Sequence, residues 1–313
     1  MNPILPSIAR FRTSNQHPIL SAFVAMSQSV APDFKDKENY IERMSYVDAV
    51  IGHELHNYWG AKVIEHTTAS GRKLALKVKT RTGMDRSEEY LMNYAASHGV
   101  LAPKAYGVYD VETEPRARVM VSDRVPGVPL VDLWQTATKA EQAGYKEQLR
   151  TQLAHMRECT QSFIGRLKKS GEARSTYNIY QRMPIIPKDF CGPFNNEKEF
   201  DDWCLARVLP QRGPISRYKW TRFIEREQRK SSGKFVLTHG DLSPRNIMAQ
   251  DGRITGLIDW ERGGFYPEYA EYAFSMKLNP GLEEWWVEVL KEILQPCSKD
   301  RLKFTKLVEH FDY

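Results

Sequence analysis

Two carboxylates and one side-chain amide stand at a chemically informative spacing in the last third of this chain. Asp241 closes the run Val236-Leu237-Thr238-His239-Gly240-Asp241, and Asn246 follows it five residues later. Asp259 ends Ile254-Thr255-Gly256-Leu257-Ile258-Asp259, thirteen residues further on. Moving a phosphoryl group to a hydroxyl needs such a set. One carboxylate orients the hydroxyl and takes its proton, and hard oxygen atoms hold a divalent cation on the phosphates. Mg²⁺ keeps several waters, so one amide and one carboxylate leave its other positions for phosphate oxygens and water.

The elements that must carry these groups are written into the same segment. Both aspartates close apolar runs that read as short strands. Asp251-Gly252 between them is a strong hairpin signal. A hairpin there returns the chain beside the loop it left, so the three groups converge from one compact piece of sequence. His-Gly-Asp alone is common, and an aspartate after a strand is often a turn residue or a helix cap. The whole pattern, with Asn246, the hairpin and then Ile258-Asp259-Trp260-Glu261, is far more restrictive.

That pattern resembles the catalytic and metal loops of the aminoglycoside phosphotransferase and choline kinase-like family. Thr238-His239-Gly240-Asp241-Leu242-Ser243-Pro244-Arg245-Asn246-Ile247 is most similar to a mainly fungal branch of it. The resemblance runs from about residue 50 to about residue 290. It implies an α+β, protein-kinase-like two-lobe fold, with a small β-rich N-lobe and a larger, mainly helical C-lobe. It also implies ATP and Mg²⁺ as cofactors, Asp241 as the base, and Asn246 and Asp259 as metal ligands. His239 then braces the loop by hydrogen bonds.

The rest of a nucleotide site follows in the order the resemblance demands. Arg72 to Lys79 alternates as a strand, with Lys73, Lys77 and Lys79 on one face. Alternation does not choose among them; the likeness of Leu74-Ala75-Leu76-Lys77-Val78 to the family's phosphate-binding strand selects Lys77. A helix over Ser87 to Gly99 should supply its carboxylate partner, with Ser87 as cap and Gly99 as terminator. Glu88 shares a face with Leu91, Met92 and Ala95 and is the preferred partner, Glu89 being the alternative. Val119 to Gly127 looks like the hinge strand, where Asp123 and Val125 are the positions that read adenine through backbone groups. Ser122-Asp123 departs from the family's usual Met-Glu there. No G-x-G-x-x-G occurs, and Gly52 to Gly60 is the candidate loop over the phosphates, without individual residues assigned.

Departures from protein kinases bear on the acceptor. Gly240 replaces the arginine of H-R-D, Asp259-Trp260-Glu261 replaces D-F-G, and no A-P-E follows. Arg245 stands where tyrosine kinases carry an arginine, which points the other way. The short run from Asp259 to a helix near Glu271 leaves little room for a peptide platform, so a small hydroxylated acceptor is expected, with Glu271 structural. The rival readings are a protein kinase and a catalytically idle nucleotide-binding scaffold. The full set of Lys77, Asp241, Asn246 and Asp259 argues against idleness.

Composition sets the outer bounds. The 313 residues are 41% hydrophobic and 27% charged, ordinary for a globular protein, and no apolar run reaches the length of a membrane span. Cys159, Cys191, Cys204 and Cys297 are scattered, as reduced thiols of a cytoplasmic protein would be. The net charge of +6 comes with a basic cluster over Arg212 to Lys234. Glu225 and Glu227 interrupt it, which fits the solvated face of a helix better than nucleic-acid binding, with a wall for an anionic acceptor as the other option. Glu283, Glu284 and Glu288 beside Trp285 and Trp286 offer a local acidic pocket for a cationic one. The expected organisation is an N-terminal extension over 1–43, partly disordered and compatible with a targeting segment, a nucleotide-binding N-lobe over 44–122 and a helical C-lobe over 123–313. Lys146 to Lys169 reads as the clearest helix of that lobe, with Leu149, Leu153, Met156, Thr160, Phe163 and Leu167 as its stripe. A Pro-rich connection over Gln181 to Phe194 precedes a helix over Glu197 to Leu209. No pattern speaks to oligomeric state.

Overall fold

Alternation of apolar residues builds the first part of the molecule. In the computed structural model, which describes residues 10–11, 52–58, 61–112, 116–177, 179–180, 190–208, 212–279 and 281–310, six strands form one antiparallel sheet. They are β1 (Arg10–Phe11), β2 (His53–Tyr58), β3 (Ala61–Thr67), β4 (Lys73–Thr80), β5 (Ala105–Glu112) and β6 (Ala117–Asp123), in the order β1-β5-β6-β4-β3-β2. Leu74, Leu76 and Val78 leave β4 on one face and pack with Ile64, Val111, Val119 and Val121, while Lys73, Lys77 and Lys79 leave it on the other. The chain divides into two compact units, Met1–Glu89 with Lys104–Val125, and Tyr90–Pro103 with Pro126–Tyr313.

Helix α1 (Ser87–Ser97) follows β4. Its cap is Asp85, whose Oδ1 accepts the Ser87 N–H at 2.7 Å; Ser87, the expected cap, is buried in the first turn. Gly99 at φ +80° ends it, with Val100 N–H donating to Ala95 O and Gly99 N–H to Ala96 O. The expected phosphate loop over Gly52 to Gly60 is instead mostly strand. Residues 53–58 are β2, paired with β3 through a register shift between Glu54 and His56, and the turn at 59–60 lies outside the described residues.

The second unit is mainly helical. Strand β7 (Val128–Pro129) leads into α2 (Leu130–Trp134) and α3 (Lys139–Glu158). The structure corrects the helix expected over Lys146 to Lys169. Thr138 and Glu141 form a reciprocal capping box that starts α3 earlier, and Cys159 turns extended to end it. Thr160 and Phe163 keep helical spacing by coincidence, because Thr160–Gln161 is β8. Two small hairpins follow: β9 (Arg166–Leu167) with β10 (Ala173–Arg174), and β11 (Thr176–Tyr177) with β12 (Phe190–Cys191). Most of the Pro-rich connection, residues 181–189, lies outside the described residues, as does the N-terminal extension except for residues 10–11.

Helix α4 (Glu197–Val208) is capped by Asn196, whose Oδ1 accepts from Glu199 N–H at 2.9 Å, and α5 (Pro214–Gln228) follows. Strands β13 (Phe235–Thr238), β14 (Ile247–Gln250), β15 (Arg253–Leu257) and β16 (Gly264–Pro267) make two three-stranded sheets, β16-β13-β8 and β15-β14-β7. Helices α6 (Ala270–Lys277), α7 (Glu284–Ile293) and α8 (Lys299–His310) complete the unit. Its core holds Trp260, Trp286, Tyr266, Phe265 and Phe274, each nearly free of solvent contact. Such burial is worth about 2–3 kcal/mol per aromatic side chain. No helix among the described residues is long and apolar enough to cross a membrane.

Candidate active site

The His-Gly-Asp turn is held from three sides. Strand β13 is buried along its whole length and delivers His239 to the interior. Gly240 sits at φ +78°, and a Cβ there would lie 2.6 Å from the Arg262 carbonyl oxygen, so the turn accepts only glycine. Glu271, on the first turn of α6, accepts the N–H groups of His239 at 2.6 Å and Gly240 at 3.1 Å. Burial pushes its carboxyl up from the ordinary value, and the two accepted hydrogen bonds oppose that shift. His239 Nε2 lies 3.0 Å from Ile258 O, while its Nδ1 accepts from Asp241 N–H at 3.3 Å. Burial lowers the imidazole's affinity for a second proton, so the neutral ring works as a brace between Asp241 and the segment preceding Asp259.

Asn246 and Asp259 come together through the predicted hairpin. Asp251 at φ +49° and Gly252 at φ +73° make its turn, and β14 pairs with β15 so that Ile247 faces Leu257. One step beyond that register, Ile258 N–H donates to Asn246 O at 2.8 Å. Asn246 Nδ2 donates to Asp241 O at 3.0 Å, which ties the amide nitrogen to the loop and leaves the side-chain oxygen outside that hydrogen bond. Asp259 adopts a left-handed conformation, φ +63°, a geometry aspartate tolerates better than most residues, and opens a single 3₁₀ turn over Trp260–Arg262.

Asp241 sits in a mixed electrostatic field. Burial pushes its carboxyl from the usual 3.8 up to about 6; the Arg262 guanidinium pulls it down, and Asp259 and Glu261 push it up. Asn279, just past the end of α6, donates from Nδ2 to Asp241 Oδ1 at 2.6 Å and fixes the direction of the carboxylate.

The first unit holds the other sequence-derived candidates. Lys77 Nζ donates to Glu88 Oε1 at 2.8 Å; both side chains are largely buried. Asp123 accepts through Oδ1 from Arg72 at 2.6 Å and from the Tyr106 hydroxyl at 3.0 Å. Its N–H already donates to Lys104 O at 2.9 Å. Val125 is buried, and its N–H donates to no acceptor among the described residues.

Sequence reasoning did not single out two of the groups that shape this site. Arg166 is wholly buried and donates to the carbonyls of Gly263 at 2.7 Å, Trp260 at 2.8 Å and Glu261 at 2.6 Å, all in the turn after Asp259. Its one signal was an arginine set among the apolar residues Phe163, Ile164 and Leu167. Asn279 had no signal at all. The acidic pocket expected at Glu283, Glu284 and Glu288 is compensated in part: Glu283 meets Arg245 at 2.5 Å and Glu288 meets Lys291 at 2.7 Å, Glu284 is exposed without an ion pair among the described residues, and Trp286 is core.

A family model described as the phosphotransferase enzyme family matches residues 59–295. Among solved structures, a thermostable mutant of aminoglycoside phosphotransferase APH(4)-Ia in its apo form is 17% identical with a TM-score of 0.52, over 83% of this chain and 84% of that one. A ternary complex of a thermostable mutant of that enzyme with AMP-PNP and hygromycin B is 18% identical with a TM-score of 0.51, over the same shares, 83% and 84%. A putative fructosamine-3-kinase from Haemophilus somnus 129PT is 14% identical with a TM-score of 0.51, over 87% of this chain and 86% of that one. At such identities the likeness is one of fold: a β-sheet N-terminal part and a helical C-terminal part of the kinase-like kind. No curated protein sequence matches the chain.

Proposed function

Because the chain belongs to the phosphotransferase enzyme family, we propose that it moves the γ-phosphate of Mg-ATP to a hydroxyl of a small molecule, with Asp241 as the base. The observation that carries this reading is the convergence of Asn246 and Asp259 through the Ile258–Asn246 hydrogen bond, beside an Asp241 whose carboxylate Asn279 aims.

The donor set fits Mg²⁺. One carboxylate and one amide oxygen suit a hard cation that takes its other ligands from phosphate and water. Bound Mg-ATP supplies the phosphoryl group and neutralises the charge that develops on its oxygens. Everything else falls to the chain's own residues. Lys77, held by Glu88, offers a point charge to the nucleotide phosphates. The Asp123 carbonyl and the Val125 N–H read the adenine. Asp241 orients the acceptor hydroxyl and takes its proton. The complex of aminoglycoside phosphotransferase APH(4)-Ia with AMP-PNP and hygromycin B supports a nucleotide and a small acceptor. In this reading residues 44–122 are the nucleotide lobe and 123–313 the helical lobe. The four free cysteines fit a reducing, cytoplasmic setting. Arg245, the residue that pointed toward a peptide acceptor, is engaged by Glu283.

Thermal unfolding tests the nucleotide site. Mg-ATP at about a hundred times its Kd should stabilise the wild type by about 2.7 kcal/mol. Asp259→Ala should keep its ligand-free melting temperature and lose most of that Mg-dependent gain. An equal gain in the variant, or none in the wild type, would sink the assignment.

The pH profile tests the base. With its carboxyl at about 6 in the free protein, Asp241 loses the charged form as pH falls through that value. We expect kcat/KM to decline below about pH 6 and kcat to decline at lower pH, because nearby Mg²⁺ opposes protonation. A flat kcat/KM from neutral pH to well below the Asp241 value would remove it from the role.

A further inference from the structure

The second unit carries a groove of about 790 Å³ that the chemistry above leaves unused. Its walls are the first turns of α5, the end of α6 and one face of α8. The apolar surface comes from Ile215, Trp220 and Leu307, and Ile215 is 88% exposed, an unusual position for a large aliphatic side chain. The polar surface is cationic, with Arg212, Lys219 from α5, Lys277 from α6 and Lys303 and Lys306 from α8; Lys306 is paired with Glu309, and no carboxylate of the described residues lines the groove itself.

Surface lysines are usually just solvated, so what decides is the convergence of several on one concave surface. Elsewhere on this unit Lys146, Lys198, Lys230 and Lys291 each sit within 3.3 Å of a glutamate or aspartate, while Lys169 and Lys234 form no ion pair among the described residues. Lys219, Lys277 and Lys303 form no ion pair among the described residues. Three ammonium groups without a carboxylate partner, of which Lys219 lies 5.0 Å from the centroid of the Trp220 ring, focus positive potential into a concave apolar surface. The first turn of α5 adds to this: Gly213 supplies no side-chain cap and no acid occupies that turn.

Chain connectivity brings one wall of the groove within two residues of the side chain that holds Asp241. Lys277 ends α6, and Asn279, two residues on, donates to Asp241 Oδ1. Their Cα atoms are therefore no more than about 7 Å apart. Two of the three acids that would favour a cationic acceptor are meanwhile paired, Glu283 with Arg245 and Glu288 with Lys291.

Resting on the phosphotransferase reading, we propose that this groove binds the phosphate acceptor, and that the acceptor is a small hydroxylated carboxylate with an apolar body. Its carboxylate lies among Lys219, Lys277 and Lys303, its body covers Ile215 and Trp220, and its hydroxyl reaches Asp241. In the transfer, the acceptor oxygen bonds to the γ-phosphorus as the bond from that phosphorus to the β-γ bridging oxygen breaks. The hydroxyl proton passes to Asp241, and ADP leaves.

Calorimetric titration of three matched probes tests this: ω-hydroxydecanoate, the corresponding diol and the corresponding amino alcohol. In the wild type the carboxylate should bind roughly tenfold tighter than the diol, with the amino alcohol weakest. Added salt should erode that order. In Lys277→Glu/Lys303→Glu, or in the milder Lys277→Gln/Lys303→Gln should the first fold poorly, the preference should vanish. Amine binding equal to or tighter than carboxylate binding, a preference that survives both variants, or no binding of the carboxylate to the wild type would each overturn the proposal. The Mg-ATP stabilisation described above is read separately on the same samples. Carboxylate binding without it would sink the phosphotransfer reading and leave the groove an anion site; Mg-ATP binding without carboxylate preference would do the reverse.

Discussion

Asp241→Asn is expected to lower kcat by about a thousandfold while leaving Mg-ATP binding close to that of the wild type. The substitution keeps the shape of the side chain and its hydrogen bond to Asn279, since an amide oxygen still accepts from Asn279 Nδ2. What it removes is proton affinity. The variant should also be more stable without ligands. Burial, Asp259 and Glu261 push the Asp241 carboxyl from 3.8 to about 6, so the fold disfavours its charged form. At pH values above 6 carrying that charge costs at most about 3 kcal/mol, and less because the side chain keeps some contact with water. The sign follows from linkage. Below about 3.8 the carboxyl is protonated in both folded and unfolded chains and the penalty is absent. It grows as pH rises from 3.8 to about 6 and is complete above that. Urea unfolding of both proteins across this range should show Asp241→Asn ahead at neutral pH and level with the wild type near pH 4. A stabilised but fully active variant would remove Asp241 as the base. An inactive variant with unchanged stability at every pH would remove the electrostatic account.

Which parts of this site were legible in the sequence depends on how locally they are built. Asp241, Asn246 and Asp259 converge because one hairpin, turned at Asp251-Gly252, carries two of them and the preceding loop carries the third. Lys77 and Glu88 are eleven residues apart, joined by a strand with plain alternation and a helix with plain ends. Where short apolar segments were read, the outcome was poorer. Thr160, Phe163 and Leu167 continue the helical stripe of α3, but Thr160 pairs with Val236 in a sheet, a partner seventy-six residues away. Spacing over a few residues does not separate the two states. Gly52 to Gly60 reads as a loop because two widely spaced glycines bracket it, yet residues 53–58 form an edge strand, which needs few apolar residues. Asn279 and Arg166 were invisible for a different reason. Asn279 reaches Asp241 across thirty-eight residues, and Arg166 reaches Trp260 across ninety-four, through packing that no local pattern encodes.

Arg166 is where that invisible packing should matter most. Its guanidinium satisfies three carbonyls of the turn that follows Asp259, in a site with no water contact. Removing the donor while leaving the carbonyls buried, as in Arg166→Met, should cost about 3–5 kcal/mol, much of the stability of an ordinary domain. Arg166→Lys is the more informative change. One ammonium lacks the planar fork that meets carbonyls in two directions, so it restores charge without restoring geometry. We expect it to lose about 1–3 kcal/mol and to remain folded. Its effect on function should run through Asp259, whose left-handed backbone opens the turn Arg166 holds. Without that hold the carboxylate should sample other positions and, on the proposed reading, grip Mg²⁺ less well. The Mg²⁺ concentration needed for half-maximal ATP binding should rise about tenfold, while binding at saturating Mg²⁺ recovers, measured well below the melting temperature. A purely structural arginine would lower the melting temperature and leave that Mg²⁺ midpoint unchanged. Such a result would confine Arg166 to packing and separate the 3₁₀ turn from the placement of Asp259.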